Sequence, residues 1–550
     1  MRRALLVSCL LAAMTLPAYS HAGVQVTNTL ETAWNADNKN GPTTDQPYDD
    51  NYGYAVNRLN IVGSSGDIST LIRIDAWRYL KRPTTKYKGK ILPERLQIGY
   101  KMDDWKLTVG DFYKQLGRGL VLSFRKGDEV SADTAIRGAE LIYSASGHKV
   151  TLFGGYRNQA NFDPVTKLYY DEEDDTLAGF QYVYNGFDLV NIGTHGLFYQ
   201  PNVRTIESYT NTEGESAEYI PVKNFLTGGM YLDAPDLTDW FGLYVEANAQ
   251  RRHESPGTPV STFGEISLTE QSNELGLSTF AGMNFFLGDF QITTELLHID
   301  NFDQGERIAG TANRIQNGSL VNGDARPIGE KTLNMRPPTL VRQQDEITSV
   351  RDVTGGSAQL EYYIEDHELT LAVKGAYRLN GESRDIHELL AYGSVQWSGG
   401  GSRIKVESGF WNTVDTTKDE VIKDKLFLYV DWVQHVSGKW SIQTITDTEY
   451  RMTEDYIRGS TYLTLLKSGL GDITFEFGHD VDQSGQDASS TTGTKELQYF
   501  YAGQISAEVA DGWKVTATGG SQRGGLKCIA GICRWFPPFA GGRIEVVSRF

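Results

Sequence analysis

The chain has 550 residues and a formal charge of −18, from 52 Lys and Arg against 70 Asp and Glu. That acidity argues against nucleic acid as a partner. Only 39% of residues are hydrophobic, beside 58 glycines and 29 tyrosines. This balance excludes a bundle of apolar membrane helices and suits turn-rich strands with one apolar face.

Arg2 and Arg3 precede an apolar run over 4–16 and a small-x-small site at Ser20-His21-Ala22. The pattern predicts a secretory signal peptide over residues 1–22, cleaved after Ala22. Its removal takes two cations away, so −18 becomes −20. Leu6-Val7-Ser8-Cys9 has the letters of a lipoprotein box, but Cys9 lies inside the apolar core and is expected to leave with the peptide. Further on, no window offers the ~20 consecutive apolar residues of a membrane helix. Such a chain still spans a bilayer if it closes into a barrel, which pairs every backbone group.

From residue 24 a strand pattern begins at once, which leaves no room for a leading plug domain; residues 23–550 are expected to form one barrel domain. Strand segments then alternate with two kinds of connection. Short ones carry the Gly, Asn and Asp that tight hairpins need, as at Asp103-Asp104, Ser146-Gly147, Gly288-Asp289, Ser437-Gly438 and Asp511-Gly512. Long polar ones fall near 36–52, 80–90, 159–174, 202–217, 255–271, 303–355, 415–424, 484–495 and 524–538. Short periplasmic turns against long extracellular loops are the asymmetry of outer-membrane barrels. The expected fold is all-β, a large antiparallel transmembrane barrel of about 24 strands (roughly 22–26). Residues 113–135 fit this alternation worst, either as a strand extension with a loop or as a segment folded into the pore. The stretch 303–355 is the longest outer connection, and it either folds inward as a constriction or stands outside as a binding surface.

Three stretches, 110–126 (GDFYKQLGRGLVLSFRK), 136–147 (IRGAELIYSASG) and 336–340 (RPPTL), resemble motifs of an uncharacterised barrel family common in Bacteroidota. The resemblance implies a barrel over most of residues 23–550 and nothing about cargo.

Clustered acids at Asp171, Glu172, Glu173, Asp174 and Asp175 suit either a solvated loop or Ca²⁺ bridging to lipopolysaccharide phosphates. The nine histidines show no i, i+4 pairing of a zinc helix, and neither a nucleophile elbow nor a phosphate loop is present. No catalytic residue, metal ligand or cofactor is therefore assigned, and the chain is not expected to be an enzyme. Cys528 and Cys533 lie in the loop before the last strand and are expected to form a disulfide there.

The last strand reads FAGGRIEVVSRF. Ile544, Val546 and Phe550 share its apolar face, while Arg543, Glu545 and Arg549 share the other. An amphipathic strand that ends on an aromatic resembles the closing strand of bacterial outer-membrane barrels. Phe550, Val546 and Ile544 would then be the signal read by the barrel-insertion machinery, with Ser548 smaller than usual at its position. Six segments with assignable faces place Arg73, Lys374, Arg378, Arg403, Lys405, Lys514, Arg543 and Arg549 on the inner wall. Asp75, Glu407, Glu496, Glu508 and Glu545 oppose them, which predicts a weakly anion-selective bore unless the charges pair across strands.

The function expected is a passive channel, or the pore of a transport system, in the outer membrane of a Gram-negative bacterium. Its surroundings are outer-membrane lipid and lipopolysaccharide, with a possible periplasmic or extracellular protein partner. The alternative is a barrel that sheathes a partner such as a multihaem cytochrome, or one that serves as a surface receptor or adhesin.

Overall fold

The computed structural model describes residues 23–36, 51–81, 89–127, 132–159, 175–200, 207–210, 216–219, 222–255, 272–302, 315–316, 319–320, 352–381, 383–453, 455–481, 497–522, 525–529, 532–536 and 539–549. Twenty-four of its strands pair in sequence order. They are β1 Val24–Asn35, β2 Tyr52–Ser65, β3 Ile68–Lys81, β4 Lys90–Met102, β5 Trp105–Phe112, β6 Ala132–Ala145, β7 His148–Gln159 and β8 Thr176–Tyr184. Next come β9 Asn191–Gln200, β10 Val222–Thr238, β11 Phe241–Ser255, β12 Ser272–Leu287, β13 Phe290–Asp300, β14 Val353–Ile364, β15 Leu369–Asn380 and β16 Ile386–Gly399. The last eight are β17 Ser402–Asp415, β18 Glu420–Ser437, β19 Trp440–Arg451, β20 Tyr456–Lys467, β21 Gly471–Val481, β22 Leu497–Ala510, β23 Trp513–Gln522 and β24 Phe539–Arg549. Each is antiparallel to its neighbours, and β24 also pairs with β1, from Thr27↔Arg549 to Asn35↔Gly541. The sheet is a closed barrel without an edge.

Connections at one end span two to six residues, whereas those at the other span four to 52. Tight turns at the short end use positive φ, at Asp103 (44°) and Gly288 (64°) for example, as two-residue hairpins require.

Side chains alternate across the wall. On β10, Leu226 and Met230 are 59% and 67% exposed, while Phe225 and Thr227 between and beside them are buried. The exposed set faces outward and is apolar on nearly every strand, as a lipid-facing band must be. At the short-turn end, aromatic rings ring this face. Trp105 packs on Tyr143 at 4.6 Å and Phe290 on Tyr362 at 4.4 Å between centroids. Such a belt marks a membrane–water interface.

Ser548, the departure noted in the closing strand, lies between Asn28 on β1 and Trp513 on β23 in the register. Its hydroxyl donates to the Asn28 carbonyl at 3.4 Å, and Asn28 in turn accepts from Asn57 Nδ2 at 2.9 Å. A small residue there closes the seam over a buried polar cluster. Ile544 is 50% exposed on the lipid side and Val546 shares its face. Phe550 and residues 1–22 lie outside the described residues, as do 321–351 of the long connection.

Candidate functional site: a hairpin docked in the lumen

The connection between β5 and β6 enters from the long-loop end and folds inward as a short hairpin, Lys114–Leu116 against Leu122–Phe124. Leu116, Leu120 and Leu122 have no exposed surface, and Val121 and Phe124 are 3% and 1% exposed. They pack into one apolar cluster with inward residues of successive strands, among them Phe153, Leu177, Tyr199, Phe225 and Tyr244. Burial of each such side chain contributes about 2 kcal/mol. Of the awkward region at 113–135, residues 114–124 are therefore folded into the pore, while 132–135 open β6.

Three contacts fix the hairpin. At its entry the Tyr113 hydroxyl donates to Asp133 Oδ1 at 2.7 Å, and Asp133 also receives Arg95 at 2.9 Å and Arg73 at 2.8 Å. Both roots of the segment are thereby tied to β3 and β4. Along its length, the Lys114 ammonium meets Glu140 of β6 at 3.2 Å and lies 5.6 Å from the Phe153 ring.

The tip makes the third contact, with β11. The Arg118 amide donates to Glu246 Oε2 at 2.8 Å, and the guanidinium lies over the Tyr244 ring at 4.5 Å. Gly117 (φ 52°) and Gly119 (φ 90°) flank Arg118. A Cβ on Gly117 would stand 2.4 Å from Glu246 Oε2, so only glycine lets the turn approach this carboxylate.

Glu246 sits in a buried polar network. Its Oε2 accepts from the Tyr244 hydroxyl at 2.6 Å and its Oε1 from Asn248 Nδ2 at 3.1 Å. Asn248 Oδ1 lies 2.8 Å from His195 Nε2, reaching across β10 where Gly229 has no side chain. A Cβ there would lie 1.9 Å from Asn248 Oδ1. His195, Glu246 and Asn248 are each at most 3% exposed. A fully buried carboxylate that accepts from three donors acts as a fixed anchor.

Several of the cations expected on the inner wall are paired with carboxylates, and Glu496 lies outside the described residues. Arg378 Nε donates to Glu388 at 2.7 Å, Arg403 meets Asp431 at 2.8 Å and Lys405 meets Glu407 at 2.9 Å. Arg73 is shared by Asp75 and Asp133, both at 2.8 Å. The sequence tally left Glu388, Asp431 and Asp133 uncounted, and they cancel much of its cationic excess. Lys374 is buried between Gln359 and Tyr392 in the register, Arg543 stands opposite Thr518 and Ala33, and Glu545 faces Glu31 and Thr516.

From β20 to β23 the inner wall carries small neutral polar groups beside a few buried charges such as Arg458 and Glu476. Thr464 and Thr474 are 2.9 Å apart, Ser506 and Thr516 are 3.2 Å apart, and Thr518 donates to Gln504 at 3.3 Å. The lumen is thus two-sided, apolar where the hairpin docks and polar along β20–β24.

Of the acidic run, Asp175 is buried and holds the Tyr199 hydroxyl at 2.6 Å and Arg157 at 3.5 Å; 171–174 lie outside the described residues. Cys528 and Cys533 face each other in the backbone register of the hairpin Gly525–Ile529 and Ile532–Phe536. Their side chains are outside the described set. The anchor residues Glu246, Asn248 and His195 carried no motif. The one available signal was Gly117-Arg118-Gly119, two glycines that interrupt an otherwise strand-like run.

No family model matches the chain, and no curated protein matches it. Among solved structures it is similar to the siderophore receptor PirA from Pseudomonas aeruginosa, at 7% identity and a TM-score of 0.47, over 96% of this chain and 80% of that one. It is also similar to the copper transporter OprC (10%, 0.46, 96% and 80%) and to the translocation pore of the P pilus usher PapC (10%, 0.39, 96% and 99%). The chain is an outer-membrane β-barrel. That statement rests on the closed strand pairing, the apolar outer face and its aromatic belt, the combination that outer-membrane barrels share.

Proposed function

We propose that this barrel is a transport pore whose passage is narrowed by the docked hairpin at 114–124 and runs along the polar wall of β20–β24. The contact between the Arg118 amide and Glu246 carries the reading, because it holds the tip against β11, across the inner faces of β7–β10. The hydroxyl and amide groups on the remaining wall suit a hydrated solute, and no chemistry is asked of the protein. A signal peptide over 1–22 would deliver the chain to the periplasm. The resemblance of 110–126 to the Bacteroidota barrel family fits, since that motif coincides with the hairpin. The alternative, a sheath around a protein partner, needs an unobstructed bore, which the hairpin opposes.

Planar-bilayer recording tests this. Replacing 114–124 by a short Gly-Ser link should raise unit conductance several-fold in a barrel that still migrates faster unheated than boiled. A folded variant that conducts no better than the wild type overturns the reading.

A further inference from the structure

We propose that Arg118 is the residue that sets the ion preference of the passage, and that it favours small hydrated anions; this rests on the transport reading above. Of the wall cations, Arg378, Arg403, Lys405 and Arg73 each face a carboxylate within 3 Å, and on β24 Arg543 and Glu545 supply one charge of each sign. On the hairpin, the Lys114 ammonium is matched by Glu140.

Arg118 differs from all of these. It is exposed at the tip, between the fully buried Leu116 and Leu120. Among the described residues, no carboxylate lies within ion-pair distance of its guanidinium. The nearest acid, Glu246, has both oxygens engaged by Tyr244, Asn248 and the Arg118 amide itself. That carboxylate is fully buried in the wall, whereas the guanidinium is exposed.

The guanidinium lies on the Tyr244 ring at 4.5 Å, a cation–π contact that fixes its position without cancelling its charge. The N–H groups at its edge remain available to solute. A fixed, exposed cation without an ion-pair partner at a constriction biases permeation toward anions. Because screening acts over about 8 Å at physiological salt, the bias should be clear near 0.1 M KCl and fade at 1 M.

Glu246 grips the main chain of residue 118, so side-chain replacement leaves the tip anchored. The experiment measures reversal potentials in a KCl gradient for the wild type and for Arg118→Lys, Arg118→Gln and Arg118→Glu, each shown to be folded by heat-modifiable migration. The wild type and Arg118→Lys should prefer chloride by about two- to fivefold. Arg118→Gln should bring the ratio to about one, and Arg118→Glu should invert it. Equal selectivity across the series overturns the proposal while leaving the transport reading intact. Absence of conductance from both the wild type and the hairpin deletion overturns both.

Discussion

Arg118 and Glu246 lie 128 positions apart in the chain, yet the amide of the first donates to the carboxylate of the second at 2.8 Å. The bond joins the tip of an inner hairpin to a strand five positions further round the barrel. Tyr244 and Asn248 complete the shell of donors about the same carboxylate.

Glu246→Ala would leave those three donors without their acceptor, a local cost of about 3 kcal/mol. Hydrogen exchange should then accelerate at the amides of 114–122, while the barrel strands keep their protection. Unchanged protection of the hairpin would mean that its apolar side alone holds it.

Gly117→Val should displace the tip, since its Cβ would lie 2.4–2.6 Å from the Glu246 carboxylate and the residue would be held at φ 52°. Gly66 has a similar φ of 57° and open space around it, so Gly66→Val carries only the backbone strain, about 1–2 kcal/mol. The expected contrast is a noisier, larger conductance for the first variant and wild-type traces for the second. Identical traces would count against a close fit at the tip.

Insertion should depend on the closing strand. Ile544→Lys places a charge on the lipid face, at a cost of about 2–4 kcal/mol near the midplane. Removing Phe550 deletes the terminal aromatic expected to serve as the insertion signal. Both changes should lower the heat-modifiable barrel fraction and raise periplasmic degradation, and a wild type found soluble in the periplasm would contradict the membrane assignment.

Facing positions of an antiparallel hairpin lie about 4.5–5.5 Å apart between Cα atoms, within the range of a disulfide. Cys528 and Cys533 occupy such positions. A bond between them would stabilise by about 2 kcal/mol, so Cys528→Ser with Cys533→Ser should insert normally and lose only protease resistance in the loop. Complete thiol labelling of the unreduced wild type would show that no bond forms.

Alternation along segments such as 369–379, together with turn residues such as Asp103 and Gly288, made the barrel legible in the sequence, because a strand with one lipid face writes a period of two. The inner hairpin was not legible as such. Its apolar residues, Leu120 to Leu122 and Phe124, read like part of one more wall strand, since a side chain buried in the lumen is as apolar as one buried in lipid. The charges at Arg378 and Arg403 could be assigned a face but not a partner, since Glu388 and Asp431 come from strands whose faces had not been read. Glu246 and His195 gave no signal at all, because their meeting depends on Gly229, a residue between them in space and not in any motif.

The distance in sequence between the hairpin and its anchor also sets a timetable. The tip of the segment at 114–124 can be gripped only once Phe241–Ser255 has joined the wall, whichever strands pair first. Closing so long a loop costs little more than closing a short one, but it has to wait for its receiver. During biogenesis the nascent cylinder would pass through a stage in which its first strands are paired and its interior is still wet, and the dry half of the lumen would be the last part of the molecule to set.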